Sequence, residues 1–85
     1  MNIKNNIINY LKDKDYIISI FDNYLYIYNY KKLLYFSETR FEVRLNNIKV
    51  IIDGKNLTIK KMNEEELMIC GNIKSLKLEE INEES

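Results

Sequence analysis

The sequence contains no histidine, proline or tryptophan, and it has only one cysteine and two glycines. Without histidine, the chain lacks the commonest general base and metal ligand, and a nucleophilic side chain lacks its usual activator. Gly54 and Gly71 stand singly, so no glycine-rich loop is available to cradle a phosphate. We therefore predict that the protein is not an enzyme and that it holds no cofactor or metal.

The chain also lacks a run of about 18 apolar residues and the pattern of a signal peptide. Cys70 has no second cysteine with which to form an internal disulfide, which fits a reducing compartment. A chain of 85 residues has room for one compact domain. We predict a single domain spanning 1–85 that resides in the cytoplasm, without direct insertion into a membrane.

Neither sign of charge dominates, because the chain has 13 basic and 13 acidic residues. The distribution is uneven: residues 1–62 hold 11 Lys and Arg against 6 Asp and Glu, whereas residues 63–85 hold 2 against 7. Zero net charge does not support a general attraction to nucleic acid or to a membrane surface. The triplet at 64–66, Glu-Glu-Glu, has no other ligand types beside it and indicates a solvated charge run.

Hydrophobic periodicity predicts a mainly β protein with a short helix at its start. Apolar residues at spacings of three to five predict a helix over 2–12. From Tyr16 onward the period becomes two, which predicts about eight short strands over 16–78. The last residues, 79–85, are acidic and poor in apolar groups, and we expect them to fray.

Two-residue turns between these strands predict how the strands pair. Hairpins at Asp22-Asn23, Asn46-Asn47 and Asp53-Gly54 would each place all apolar residues of the two flanking strands on one face. A fourth turn at Lys31-Lys32 would bring Tyr28 opposite Tyr35. The prediction is an antiparallel meander curled into a small sheet or roll. The alternative is a β-solenoid with two strands per coil, because apolar pairs recur about every 16 or 17 residues.

The stretch YLYIYNY puts tyrosine at every second position, so its tyrosines share one face of a strand. Tyrosine offers a large contact area at low entropy cost and is enriched in protein interfaces. This face is a contact surface, or it is covered by the predicted N-terminal helix, or its tyrosines only stabilise a solvent-exposed sheet through cross-strand pairs. With neighbours expected from the predicted register, the candidate interaction face consists of Phe21, Tyr24, Tyr26, Tyr28, Tyr30, Tyr35, Arg40 and Arg44.

Two longer stretches carry a family resemblance, LYIYNYKKLLYFS at 25–37 and VIIDGKNLTIKKMNEEELMICGNIKSLKL at 50–78. They resemble the YabP/YqfC family of sporulation proteins, and its YqfC branch more closely. The second stretch is similar to the family's succession of strand, Gly-x-x-Leu-x-Ile, polar loop, strand, glycine and final apolar strand, with Gly54 and Gly71 at the glycine positions.

The resemblance implies a non-catalytic protein of the mother cell that takes part in building the spore envelope, either coat or cortex. It also implies a partner of the YqfD type, which is a membrane protein, and hence a peripheral position at the forespore envelope. From the residues themselves we expect an assembly or adaptor module that binds such a partner, itself, or both. The alternative function is a single-stranded nucleic-acid-binding sheet, since exposed aromatics flanked by basic residues are typical of base-stacking platforms. The basic residues here are Lys31, Lys32, Arg40 and Arg44.

Overall fold

A computed structural model describes residues 16–81, and these form one antiparallel sheet of six strands. The strands are short in the first half of the chain and long in the second. In chain order they are β1 (Ile17–Phe21), β2 (Tyr24–Tyr28), β3 (Lys32–Phe36), β4 (Arg40–Arg44), β5 (Ile48–Met62) and β6 (Glu66–Glu80).

The strand order across the sheet is β1-β2-β6-β5-β4-β3. Strands β3 to β6 form a meander, and the β1–β2 hairpin joins the far side of β6. The predicted mainly β, antiparallel architecture is confirmed, but a simple meander is not, because β2 pairs with β6 instead of β3. All five strand pairings are antiparallel, so the solenoid alternative is wrong.

Six strands replace the predicted eight because the last four predicted strands merge into two. The hairpin predicted at Asp53-Gly54 is wrong: β5 continues through both residues, and Val50 pairs with Leu78 of β6. The turn that joins β5 to β6 instead lies at 63–65, where the backbone amides of Glu65 and Glu66 donate to the Asn63 side-chain oxygen.

Strands β5 and β6 change their inward-facing side partway along. In β5, Val50 and Ile52 are buried at even positions, whereas Leu57 is buried at an odd position. The register between the two strands shifts at 53–54 and again at 55–58. An extra residue at a bulge rotates the following side chains to the other face and bends the strand. The long hairpin of β5 and β6 can therefore contribute strands to two parts of the sheet.

These two parts enclose a single core. The β2 half contains β1, β2, the first part of β6 and the last part of β5, whereas the β4 half contains β3, β4 and the remainder of the long hairpin. One hydrophobic cluster contains fully buried side chains from both halves, so the bent sheet folds over it. Its buried members are Leu25, Ile27, Tyr30, Phe41, Val43, Leu45, Val50, Ile52, Leu57, Leu67 and Ile69.

Two of the predicted turns are confirmed in register. Across Asp22-Asn23, Ile20 lies opposite Leu25, and across Asn46-Asn47, Val43 lies opposite Val50. The turn predicted at Lys31-Lys32 is wrong, since Tyr28 lies opposite Glu66. Chain segment 29–31 instead crosses from one half to the other: the Asn29 amide donates to the Glu65 carbonyl, and the Lys31 amide donates to the Arg44 carbonyl.

At the chain ends, β6 runs through Glu79 and Glu80, which lie opposite Lys49 and Ile48, so the strand extends two residues into the predicted tail. The Ile81 amide then donates to the Asn47 carbonyl, and residues 82–85 and the predicted helix over 2–12 lie outside the described residues. Within 16–81, no helix has the length and apolar character needed to cross a bilayer.

Candidate protein interaction surface

Four of the predicted face residues lie together on the side of the sheet that points away from the core. Because Leu25 and Ile27 are fully buried, the alternating Tyr24, Tyr26 and Tyr28 must point outward. Phe21 lies opposite Tyr24, and their rings stack with centroids 4.6 Å apart and planes 16° apart. We call Phe21, Tyr24, Tyr26 and Tyr28 the outer aromatic face.

The outer aromatic face is flanked on one side by β6, where Glu66 accepts a hydrogen bond of 2.7 Å from the Tyr26 hydroxyl. The Asn63 side-chain amide donates to the same carboxylate at 3.1 Å, and the Lys61 ammonium lies 3.1 Å from it. These donors, Tyr26 first, lower the pKa of Glu66 from 4.5 to about 2. Burial and the neighbouring carboxylate raise the pKa of Tyr26 to about 12.

The outer aromatic face is thus partly occupied by its own internal contacts. All four side chains are half-buried. Ser19, which lies opposite Tyr26, is only 1% exposed, and its hydroxyl has no hydrogen-bond partner among the described residues. A half-buried row with stacked rings and a bonded hydroxyl offers a partner less accessible surface than the sequence pattern indicates.

Tyr30 does not belong to this face. It is 8% exposed, packs in the core and donates its hydroxyl to the Asn63 carbonyl at 2.7 Å. The reason is Asn29, whose φ of 66° lies in the left-handed region that asparagine tolerates. That residue ends β2 and breaks the alternation, so the tyrosine that follows turns inward.

The remaining predicted residues, Tyr35, Arg40 and Arg44, lie on β3 and β4 and therefore in the other half of the sheet. The Arg40 guanidinium donates to Asp53 at 2.8 Å and lies 3.6 Å from Glu42. The pairing with Asp53 raises the pKa of Arg40. The structure therefore separates these basic residues from the outer aromatic face, and a platform combining both is not assembled.

A more exposed apolar surface occurs on β3. Leu34, Tyr35 and Phe36 are consecutive and are 42%, 51% and 58% exposed. We call these three residues the β3 row. Large exposed apolar patches on monomeric proteins often mark contact sites, and here the exposed apolar side chains are consecutive on one strand. Sequence reasoning assigned only Tyr35 to the interaction face, although three successive apolar residues in a strand cannot all face one core.

A shallow apolar groove of about 330 Å³ adjoins the β3 row. Its walls include Phe36 and Phe41, whose ring centroids are 5.8 Å apart, together with Leu57 and Ile59 from β5. Beside this groove the β3–β4 turn is held against the bulged part of β5, where the Leu57 amide donates to the Glu38 carbonyl at 2.9 Å. The β3 row thus continues into a hydrophobic surface contributed by a second strand.

Acidic and sulfur ligands do not gather into a metal site within 16–81, where no three such side chains come together. Cys70 is half-buried on β6 opposite Tyr24.

Comparison with known proteins gives one result. The model of the YabP family matches residues 12–85, which include every described residue. No curated protein and no solved structure shows a significant match.

Proposed function

Because this chain belongs to the YabP family, whose membership indicates a sporulation-related protein, we propose that it is a non-catalytic assembly module of the spore envelope. It acts through protein contacts, and its partner in the mother cell is a membrane-anchored protein of the YqfD type. The module sits at the forespore envelope by holding that partner.

The observation that carries this proposal is the β3 row. Its three side chains are exposed on a strand that lies at one end of the sheet. Burial of apolar side chains is the main favourable term in protein association, and aromatic residues are enriched among those that contribute most. The adjoining groove adds Phe41, Leu57 and Ile59 to the surface available for contact.

The test is co-purification from sporulating cells of a spore-forming host. We expect the tagged chain to retain a membrane protein of the YqfD type after detergent extraction, and we expect Leu34→Ser combined with Phe36→Ser to abolish this retention. The matched control is Ile20→Ser combined with Leu78→Ser, since these side chains are 54% and 51% exposed on β1 and β6. Circular dichroism would verify that both variants are folded.

Two outcomes would contradict the proposal. One is retention of the partner by the folded β3 variant at the wild-type level. The other is a normal yield of heat-resistant spores in a strain whose only copy carries the β3 variant, since an assembly module that has lost its contact surface leaves the envelope incomplete.

A further inference from the structure

Strand β3 ends the described sheet on one side, because its strand neighbour is β4 and its other edge faces no described strand. An edge strand presents unpaired backbone donors and acceptors that another strand can bind. At the opposite end of the sheet, β1 exposes Ile20, while its central Ser19 is fully buried. The exposed apolar side chains and the edge coincide on β3.

The backbone direction along β3 shows which residues reach this edge. The Ser37 amide donates to the Arg40 carbonyl at 2.8 Å, so Ser37 points toward β4. Backbone groups alternate in direction along an antiparallel strand, and those of Phe36 therefore point away from β4. Leu34 has no partner residue on β4, because Leu33 lies opposite Val43 and Tyr35 lies opposite the next residue of β4, Glu42. Leu34 and Phe36 thus carry the backbone groups available to a further strand.

We propose that β3 pairs with β3 of a second copy of this chain, antiparallel and about a two-fold axis at Tyr35. In this register Leu34 lies opposite Phe36 of the second copy, twice by symmetry, and the two Tyr35 side chains lie opposite each other. The inference rests on the proposed function and deepens it, because the second copy occupies the β3 row and the membrane protein is bound by the dimer that results. The product is one continuous sheet of twelve strands.

Charge complementarity selects a second copy and this register. Lys32 precedes the β3 row and Glu38 follows it, and both are exposed. An axis at Tyr35 places Lys32 beside Glu38, the first residue of the β3–β4 turn, of the second copy at both ends of the contact. An axis at Leu34 would instead place Lys32 opposite Phe36 and away from Glu38. Such an isologous contact closes on itself and yields a dimer without further growth.

The pairing also completes the hydrophobic surfaces of each copy. Tyr35 lies opposite Glu42 on β4, whereas Phe36 lies opposite the buried Phe41, so these two residues belong to different sides of the sheet. Cross-strand apolar and aromatic pairs stabilise neighbouring strands. Contact between Leu34 and Phe36 therefore extends the groove formed with Leu57 and Ile59, while the tyrosine pair covers the other side.

The first test uses charge reversal and measures the dimer dissociation constant of the full chain by sedimentation equilibrium. Lys32→Glu and Glu38→Lys each place like charges opposite one another twice per dimer, and we expect each to weaken dimerisation by about tenfold. The double variant restores opposite charges and returns the constant to within about threefold of wild type. Lys60→Glu is the matched control on β5 and leaves it unchanged.

The second test uses the symmetry axis. Tyr35→Cys combined with Cys70→Ser brings two thiols into direct opposition, so a mild oxidant such as dissolved oxygen with copper should join them in a disulfide-linked dimer. In the control, Lys60→Cys combined with Cys70→Ser, the new thiol is exposed but away from the axis, and no disulfide-linked dimer forms under the same conditions.

A monomer at all concentrations up to about 1 mM would overturn the inference. So would a dimer whose affinity is not restored in the double charge variant, since that dimer uses a different surface. If the purified chain is a monomer but the Leu34→Ser and Phe36→Ser variant loses its membrane partner, the β3 row binds another protein. The dimer is then wrong while the proposed function stands.

Discussion

Glu66 connects three parts of the chain through one carboxylate. It lies on β6, accepts a hydrogen bond from the hydroxyl of Tyr26 on β2, and contacts the ammonium of Lys61 on β5. Hydrogen bonds to the ionised form favour that form, which explains why its pKa falls to about 2. The contact between the Tyr26 hydroxyl of β2 and Glu66 of β6, which joins distant parts of the sequence, is therefore strongest while Glu66 is ionised.

This dependence predicts how stability changes in acid. The folded-state pKa of Glu66 is below its ordinary value of 4.5, so the stabilisation is fully present above pH 4.5 and is lost as the pH falls toward about 2. We expect Glu66→Gln to lower the free energy of unfolding at neutral pH and to flatten its pH dependence over this range. Urea unfolding at a series of pH values measures both effects.

Glu64→Gln is the matched control, because Glu64 is exposed in the same turn. It should leave the wild-type pH profile unchanged. If the Glu66→Gln profile kept the full wild-type loss between pH 4.5 and 2, other carboxylates would be responsible and the Tyr26 contact would have no part in acid sensitivity.

At the scale of elements, the bulged hairpin of β5 and β6 determines how the sheet bends. Gly71 has a φ of 133°, a backbone conformation that residues other than glycine rarely adopt. A Cβ at this position would lie 2.7 Å from the Asn56 carbonyl oxygen. Asn56 itself has a φ of 55°. The two strands therefore meet, at the bend, in backbone conformations that only a few residue types allow.

Gly71→Ala should accordingly destabilise the protein by about 1–3 kcal/mol, because it adds strain in φ and a clash with backbone. Asn72→Ala, at the exposed neighbouring position, serves as the control and should change stability by less than about 0.5 kcal/mol. Thermal and urea unfolding of the two variants provide the comparison. Equal stability of Gly71→Ala and wild type would mean that the bend does not need glycine.

Local turns were predictable from the sequence, whereas the bend and the long-range pairing were not. Asp22-Asn23 and Asn46-Asn47 join short strands whose apolar residues match across a two-residue loop, and both registers are confirmed. Asp53-Gly54 carries the same signal but lies inside β5. A bulge and a hairpin use the same permissive residues, so composition alone does not distinguish them.

For the candidate surface, alternation located three of the four tyrosines in YLYIYNY correctly on one face. Tyr30 was misplaced because the left-handed Asn29 interrupts the strand. The β3 row was recognised only at Tyr35, since its exposure depends on β3 being an edge strand. β3 is an edge strand because β2 pairs with β6 instead of with β3. That pairing joins residues about forty positions apart, and no local sequence pattern predicts it.

At the scale of the whole molecule, both halves of the sheet rely on one core. Ile27 from the β2 half and Ile52 from the β4 half are fully buried in the same cluster. Small domains with a single core unfold as one cooperative unit. A destabilising substitution in either half should therefore lower the free energy of unfolding of the whole sheet.

Ile27→Val and Ile52→Val test this shared core with the same small change at two places. Each should lower the global free energy of unfolding by about 0.5–1.5 kcal/mol. In hydrogen exchange, the slowest amides of β2 and of β4 should lose protection by equal amounts in either variant. A loss confined to the half that carries the substitution would show two separately unfolding units.

The pairing of β2 with β6 also bears on the order in which a newly made chain can acquire its structure. The hairpin of β1 and β2 is synthesised first, but the strand that covers its side begins at Glu66. Until β6 leaves the ribosome, Leu25 and Ile27 have no β6 beside them, although both are fully buried in the folded protein. Translation must thus proceed about forty residues beyond β2 before that strand acquires its second neighbour.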